Sequence, residues 1–208
     1  MIKENYHIEK IDYQTAMRTV IENHYLHRKC PCSHAFGLFE NQSGKLVGVI
    51  TYGVSCSSTL LKGICGEDEM HNVYELNRLW VSDDVPKNGE SFLIANTINL
   101  LDKEIIVSFA DSSQKHVGYV YQATNFLYCG LSAKFRDPKV KGFENQHHAT
   151  YAHGMTMKQV IEKYGAENVY YVDRPRKHRY IYFNCDKRRK KVLLGKLKYK
   201  VLPYPKGG

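Results

Sequence analysis

Two strand-like runs with one amphipathic helix between them constrain this chain more than any other feature. The first run, Tyr74 to Val81, mixes β-branched and aromatic residues with an alternating polar set, and Asp83, Asp84, Pro86, Asn88 and Gly89 end it. From Glu90 to Leu101, Phe92, Ala95, Ile98 and Leu101 recur every third residue with Ile94 on the same broad face, as a helix packed on a sheet requires. Ile105 to Ala110 is then almost continuously apolar, which is how a strand buried on both faces and parallel to the first one reads. A helix that starts at Glu90 or Ser91 leaves its first N–H groups unpaired beside Lys87, a ready anion site. The plain alternative is a turn made by Pro86, Asn88 and Gly89, with Ser91 near the cap.

Around this unit the rest of one α/β domain can be placed. Residues 12–26 carry Ala16, Met17, Val20, Ile21 and Tyr25 at helical spacing, and Pro31 breaks the chain after them. His34 to Glu40 and Leu46 to Val54 are expected to be strands joined by the Asn41–Gly44 turn. Residues 55–73 read as a polar loop with at most one short helical turn. Gly130 to Phe135 and the region around Thr150 read as strands or turns, and Thr156 to Tyr164 as a short helix stopped by Gly165. At the end, Val169–Val172, Arg179–Phe183 and Lys196–Leu202 alternate like antiparallel strands. The expectation is a single domain over 1–208: a mixed central sheet with helices on both faces as a core over 1–165, and a basic antiparallel extension over 166–208.

Thirty Lys and Arg against twenty-one Asp and Glu give a formal charge of +9. That excess favours a polyanionic partner or an anionic cofactor, the alternative being a surface that only aids solubility. It gathers in two loop-borne clusters, DRPRKHR and CDKRRKK, with Arg176, Lys177, Arg179, Arg188, Arg189, Lys190 and Lys191 beside Tyr180, Tyr182 and Phe183. Lys and Arg hold phosphates and aromatic rings stack on bases, so these are candidate DNA-binding residues. Six cysteines lack paired C-x-x-C spacing and read as reduced thiols, with a metal at Cys30, Cys32, Cys56 and Cys65 the weaker alternative. No apolar run reaches membrane-spanning length, so a soluble, cytoplasmic protein is expected.

Asp111 ends the buried strand, where ligands collect in open parallel sheets, and Tyr121 follows in the next helix, facing the same splay. The plain reading of Asp111 is a cap on the following loop. For Arg78, on the preceding strand, it is an ion pair with Glu75 or Asp83.

The order of elements resembles the GNAT acyltransferase fold. Taken together and in sequence, ELNRLW at 75–80, NGESFLIA at 88–95, SFAD at 108–111, HVGYVYQATNFLYCG at 116–130, KHRYIYF at 177–183 and PYPK at 203–206 resemble the Mom family of phage DNA-modification proteins. The resemblance implies an atypical GNAT enzyme that uses acetyl-CoA or a related acyl-CoA to place a methylcarbamoyl or carbamoylmethyl group on adenine N6, protecting DNA from restriction. It assigns Arg78, Lys87, Asn88, Gly89 and Ser91 to the cofactor's phosphates, although the match to the usual GNAT loop is poor. Tyr121 or Tyr128 would protonate the thiolate. It also implies an Fe(II) ion held by His24, Tyr25 and Asp111, with Asp111, Tyr121 and Tyr25 at the reacting centre. An adenine inside double-stranded DNA must be extruded to reach a buried thioester. The competing readings are an ordinary GNAT acetyltransferase acting on a protein or small-molecule amine, and a DNA-binding module without catalysis. The oligomeric state, homodimer included, stays open.

Overall fold

A computed structural model describes residues 2–144, 146 and 148–207. Its helices are α1 Ile2–Asn5, α2 Tyr13–Asn23, α3 Ser58–Cys65, α4 Gly89–Thr97, α5 Tyr119–Ala123, α6 His148–Tyr151, α7 Met157–Tyr164 and α8 Lys187–Lys196. The strands are β1 Tyr6–Lys10, β2 His34–Glu40, β3 Leu46–Gly53, β4 Val73–Val81, β5 Ile105–Asp111, β6 Leu127–Leu131, β7 Phe135–Val140, β8 Val169–Arg174 and β9 Lys177–Phe183. Seven of them form one sheet in the order β1-β2-β3-β4-β5-β9-β6, and β7 pairs with β8 alone. Within the sheet only β4 and β5 run parallel, with α4 as the crossover between them. The mixed sheet with helices on both faces is therefore as the sequence led us to expect.

Side-chain alternation sorts the two faces. Ile106 of β5, with Phe36, Ile50 and Tyr52, packs under Leu93, Ile94 and Ile98 of the α4 segment. Ile105 and Val107 point the other way, toward Leu61 and Ile64 of α3 and Leu193 of α8. On that face α2 sets Ala16, Met17 and Val20 against Ala35 and Val49. Ile105, Ile106 and Val107 are all fully buried. At roughly 1.5–3 kcal/mol for each such side chain, β5 anchors the sheet.

Four local expectations are corrected. Residues 55–73 hold an eight-residue helix capped by Ser57, because Leu61, Ile64 and Cys65 find a buried face to cover. Thr150 lies in the short α6 rather than in a strand or turn. The CDKRRKK run is no loop: Asp186 accepts from the N–H groups of Arg188 and Arg189 and starts α8, while 197–202 forms no strand. Arg179–Phe183 does lie in an antiparallel strand, but β9 sits inside the sheet between β5 and β6.

The β7–β8 ribbon stands apart from the sheet with α6 and α7, around a small core of Val140, Tyr151, Ala152 and Val160. Thr156 and Gln159 form a reciprocal capping box at the start of α7. All six cysteines are free thiols. Among the described residues no helix is long and apolar enough to cross a membrane.

Candidate active site

β4 and β5 pair only from Val73 to Glu75 and from Ile105 to Val107, and then part. The cause lies in β4. Thr51 pairs with Arg78 and Tyr52 with Leu76, so Asn77 is an extra residue that bends the strand. The Asn77 amide is tied to the Pro31 carbonyl at 2.5 Å, which holds the bulge. β5 meanwhile stays paired along its whole length with β9, from Ile105–Phe183 to Asp111–Lys177. The gap between the strands is a cleft of about 570 Å³. Leu79, Trp80, Phe109 and Val120 form apolar wall, and His24, Tyr25, Asp111 and His116 are the polar groups at one end.

At that end Asp111 is held by two neighbours, Ser113 and Lys177. Its Oδ1 accepts from the Ser113 N–H at 3.0 Å and the Ser113 hydroxyl at 2.7 Å, and Lys177 stands 3.7 Å from Oδ2. His24 is buried, and its Nδ1 accepts from the Leu26 N–H at 3.1 Å. Burial, with the charges of Arg78 and His27, lowers its pKa to about 4, so the ring is neutral at pH 7 and carries its proton on Nε2. Tyr25 stacks on His24 at 4.4 Å and meets His116 edge-on at 6.4 Å. Burial and the nearby Asp111 raise the Tyr25 phenol above its ordinary pKa.

Tyr121 closes the floor of the cleft. Its ring lies against Tyr180 at 5.1 Å and Phe126 at 5.4 Å, and burial pushes its pKa up to about 12. Gly118 starts α5 at φ +82, where a side chain would run into the Tyr180 ring. The PYPK segment straps α5 from outside: Gln122 donates to the Pro205 carbonyl, and the Tyr204 hydroxyl to that of Phe126.

The mouth of the cleft reaches the start of α4. Asn88 caps it in the left-handed conformation, φ 77, without a side-chain hydrogen bond. Asn88, Glu90 and Ser91 line the cleft there. The first-turn N–H groups of such a helix attract an anion. Asn88 and Ser91 also line a second cleft, of about 850 Å³, and Lys87 belongs to this one, opposite Lys3 of α1. Gly89 is buried against Val81 and Val85. Arg78 is displaced from the expected cofactor group: it lies beside His24, donates to the Asn77 carbonyl at 2.7 Å, and lines neither cleft. Tyr128, the other proton-donor candidate, hydrogen-bonds His178 at 2.9 Å and also lines neither.

The residues expected to hold iron, His24, Tyr25 and Asp111, meet at one end of the cleft, where two of them already have partners. A metal-bound imidazole ordinarily donates from its other nitrogen, whereas His24 Nδ1 accepts. Asp111 is already engaged through both oxygens. Among the described residues no three His, Cys, Asp or Glu side chains stand close enough together to hold an ion.

The expected DNA-binding residues are dispersed. Lys177 faces Asp111, and Arg176 clamps the cleft end by donating to the Ser132 carbonyl at 2.6 Å. Arg179 stacks on Tyr199 at 3.9 Å, and its Nε is buried without a partner. Arg189 bridges Glu69 at 2.6 Å and Glu104 at 2.9 Å. Arg188, Lys190 and Lys191 lie on α8, whose start adjoins Glu104 at the beginning of β5. Asp111 ends that strand, about 20 Å away at 3.3 Å per residue. Three groups at the site escaped the sequence reading. They are His116, Lys115 and Ser108, whose hydroxyl donates across the split to the Leu76 carbonyl at 3.1 Å. Ser108 and His116 stand inside the runs SFAD and HVGYVYQATNFLYCG, but only the fold shows that they reach the site.

A model of the Mom protein family matches residues 5–206. The methylcarbamoylase mom of Escherichia phage Mu is 31% identical over 209 residues, covering 91% of this chain and 75% of that protein. Among solved structures, one of a putative phosphinothricin N-acetyltransferase superposes with a TM-score of 0.50 at 8% identity, over 87% of this chain and 99% of that one. This last likeness is one of fold.

Proposed function

The chain belongs to the Mom protein family, and from that premise we propose that it modifies adenine N6 in DNA using an acyl-CoA donor, acetyl-CoA or a close relative. One observation carries the reading. The β4–β5 split encloses an apolar channel with a helix N-terminus at its mouth and proton-handling groups at its end. A channel of this shape suits an extended thioester arm, with the phosphates outside at Asn88–Ser91 and the acyl carbon beside Asp111 and Tyr121.

The residues divide the work by protonation state. Adenine N6 is a weak nucleophile because its lone pair is delocalised into the ring. Asp111 takes the N6 proton as nitrogen attacks the acyl carbon. The neutral His24 presents its Nε2–H to the oxygen on which charge develops. Tyr121, held as a phenol by its raised pKa, gives its proton to the departing thiolate. Tyr25 stacks on His24 and fixes its plane. These steps account for acylation of N6 only; a methylcarbamoyl or carbamoylmethyl group carries a nitrogen that an acetyl donor lacks, so that character rests on the family resemblance and needs a further nitrogen-supplying step.

Iron enters only in a narrowed form. Its binding at His24, Tyr25 and Asp111 requires the imidazole to release the Leu26 N–H and Lys177 to leave Asp111, and no step above depends on it.

The test is expression in a bacterial host, digestion of its DNA to nucleosides, and mass measurement. A deoxyadenosine of increased mass is expected. Unmodified DNA from cells that contain folded, acetyl-CoA-binding protein would overturn the proposal in favour of an ordinary acetyltransferase.

A further inference from the structure

If the cleft acts on a base, the duplex must lie across the Asp111 end. The cations given to DNA by sequence are mostly elsewhere: Arg189 is spent on Glu69 and Glu104, and α8 starts at the far end of β5. A different set surrounds the Asp111 end. Arg28 and Lys29 are exposed on the loop after α2, and Arg28 is near enough to Tyr25 to affect its ionisation. Lys115 lines the cleft from the β5–α5 loop in the left-handed conformation, φ 56. Lys134 is exposed where the β7–β8 ribbon leaves the sheet, two residues from Ser132, which receives the Arg176 donor and itself donates to the Lys177 carbonyl. Among the described residues none of these four makes an ion pair, whereas Lys177 beside them is committed to Asp111. Their charge is available to phosphates.

The ribbon adds a second kind of contact. Phe135 is 59% exposed, the one phenylalanine among the exposed large hydrophobic side chains of the described residues. It is also held in place. Arg174 pairs opposite it in register and lies over its ring at 5.8 Å, and that guanidinium is fixed by Asp137. A second cross-strand pair, Arg136 with Asp173 at 3.3 Å, stiffens the same root of the ribbon. Arg174 is three residues, at most about 10 Å of chain, from Lys177, the register partner of Asp111, so the root of the ribbon follows directly from the strand that flanks the Asp111 end.

We propose that Arg28, Lys29, Lys115 and Lys134 hold the phosphates of duplex DNA over the Asp111 end of the cleft, and that Phe135 enters the base stack in the place of the extruded adenine. The proposal rests on the DNA-modifying reading above and names the surface it needs. Phosphate contacts give affinity without sequence choice, and an apolar wedge offsets the cost of unstacking. Duplex DNA, with its regular double row of phosphates, is the occupant that both halves of the surface fit.

Two binding experiments on the full chain test it, and neither needs turnover. In the first, duplex affinity is measured against salt for the wild type, Arg28→Glu/Lys29→Glu and Arg188→Glu/Lys191→Glu. Loss of two phosphate contacts lowers the slope of log K against log salt by about 1.8. That drop is expected of the first variant alone; the same drop in the α8 variant, with an unchanged slope in the first, overturns the phosphate surface. In the second, an intact duplex is compared with one carrying a single abasic site, a gap made in advance. Wild type should bind the gapped duplex at least about fivefold more tightly, and Phe135→Ala should lose that preference while Phe135→Trp keeps it. Equal binding by wild type, or a preference that survives in Phe135→Ala, removes the wedge. Salt-dependent binding through Arg28 and Lys29 without any modified deoxyadenosine in host DNA would leave the surface standing and sink the catalytic reading.

Discussion

His24 and Tyr121 show how burial sets protonation in this site, and each leads to a measurable result. The folded protein holds His24 at about 4 against an ordinary 6.5. Between those values the unfolded chain binds a proton that the folded one does not. His24's contribution to stability is therefore complete above about pH 6.5 and declines as pH falls toward 4. Denaturant titrations across that window should show the slope, and His24→Asn should flatten it. Tyr121 poses the kinetic question. Tyr121→Phe keeps the ring contacts with Tyr180 and Phe126 and deletes the hydroxyl with its proton, so acyl transfer should slow by about 10²- to 10⁴-fold. KM for the acyl-CoA should stay near the wild-type value. A donor whose thiol leaves without protonation should recover most of the rate in the variant; failure to recover it would assign Tyr121 to packing alone.

Among the elements, α8 separates charge that builds the fold from charge that meets a partner. Burial works to raise the pKa of Glu69, but hydrogen bonds from Arg189, Lys196 and Asn72 outweigh it and hold the carboxylate at about 2. This stabilisation is present above the usual 4.5 and is lost as pH falls through about 2. Arg189→Met leaves Glu69 with Lys196 at 2.7 Å as its remaining cation. We expect a loss of about 1–2 kcal/mol, between an exposed and a fully buried pair because Arg189 is partly exposed and Glu69 keeps a cation, with the salt dependence of DNA binding unchanged. A weaker salt dependence at full stability would return Arg189 to the DNA surface. The sequence could not make this distinction, since Glu69 and Glu104 lie more than eighty residues before Arg189 and nothing local marks them as its partners. What was legible was periodic or local: β4 and β5 from their residue runs, α7 from Thr156 and Gly165, and Asp111 from its place at a strand end. The helix α4 was legible as an element but not in its face: it ends at Thr97 and buries Leu93, Ile94 and Thr97, while Ala95, expected inside, is exposed. The Asn77 bulge that opens the cleft was hidden, because it is a register difference between two strands.

For the whole molecule the question is how one cofactor can span both clefts. They meet at Asn88 and Ser91, at the start of α4, with the apolar channel on one side and Lys3 and Lys87 on the other. A CoA thioester has the matching division: an uncharged arm, a pyrophosphate, and a nucleotide with a further phosphate. If the arm fills the first cleft and the nucleotide the second, the two parts of the ligand can be weakened separately. Acetyl-CoA at a hundred times its Kd should stabilise the folded state by about 2.7 kcal/mol, a rise in Tm of about 5–10 °C for a chain of this size. Lys3→Ala/Lys87→Ala should lose much of that rise, because two cations near phosphates are gone. The same double variant should respond as wild type does to acetyl-pantetheine, which has no phosphates and needs only the β4–β5 channel. An equal loss with both ligands would mean that the lysines support the fold of α1 and α4 rather than the cofactor. Full retention with acetyl-CoA would place the nucleotide outside the second cleft.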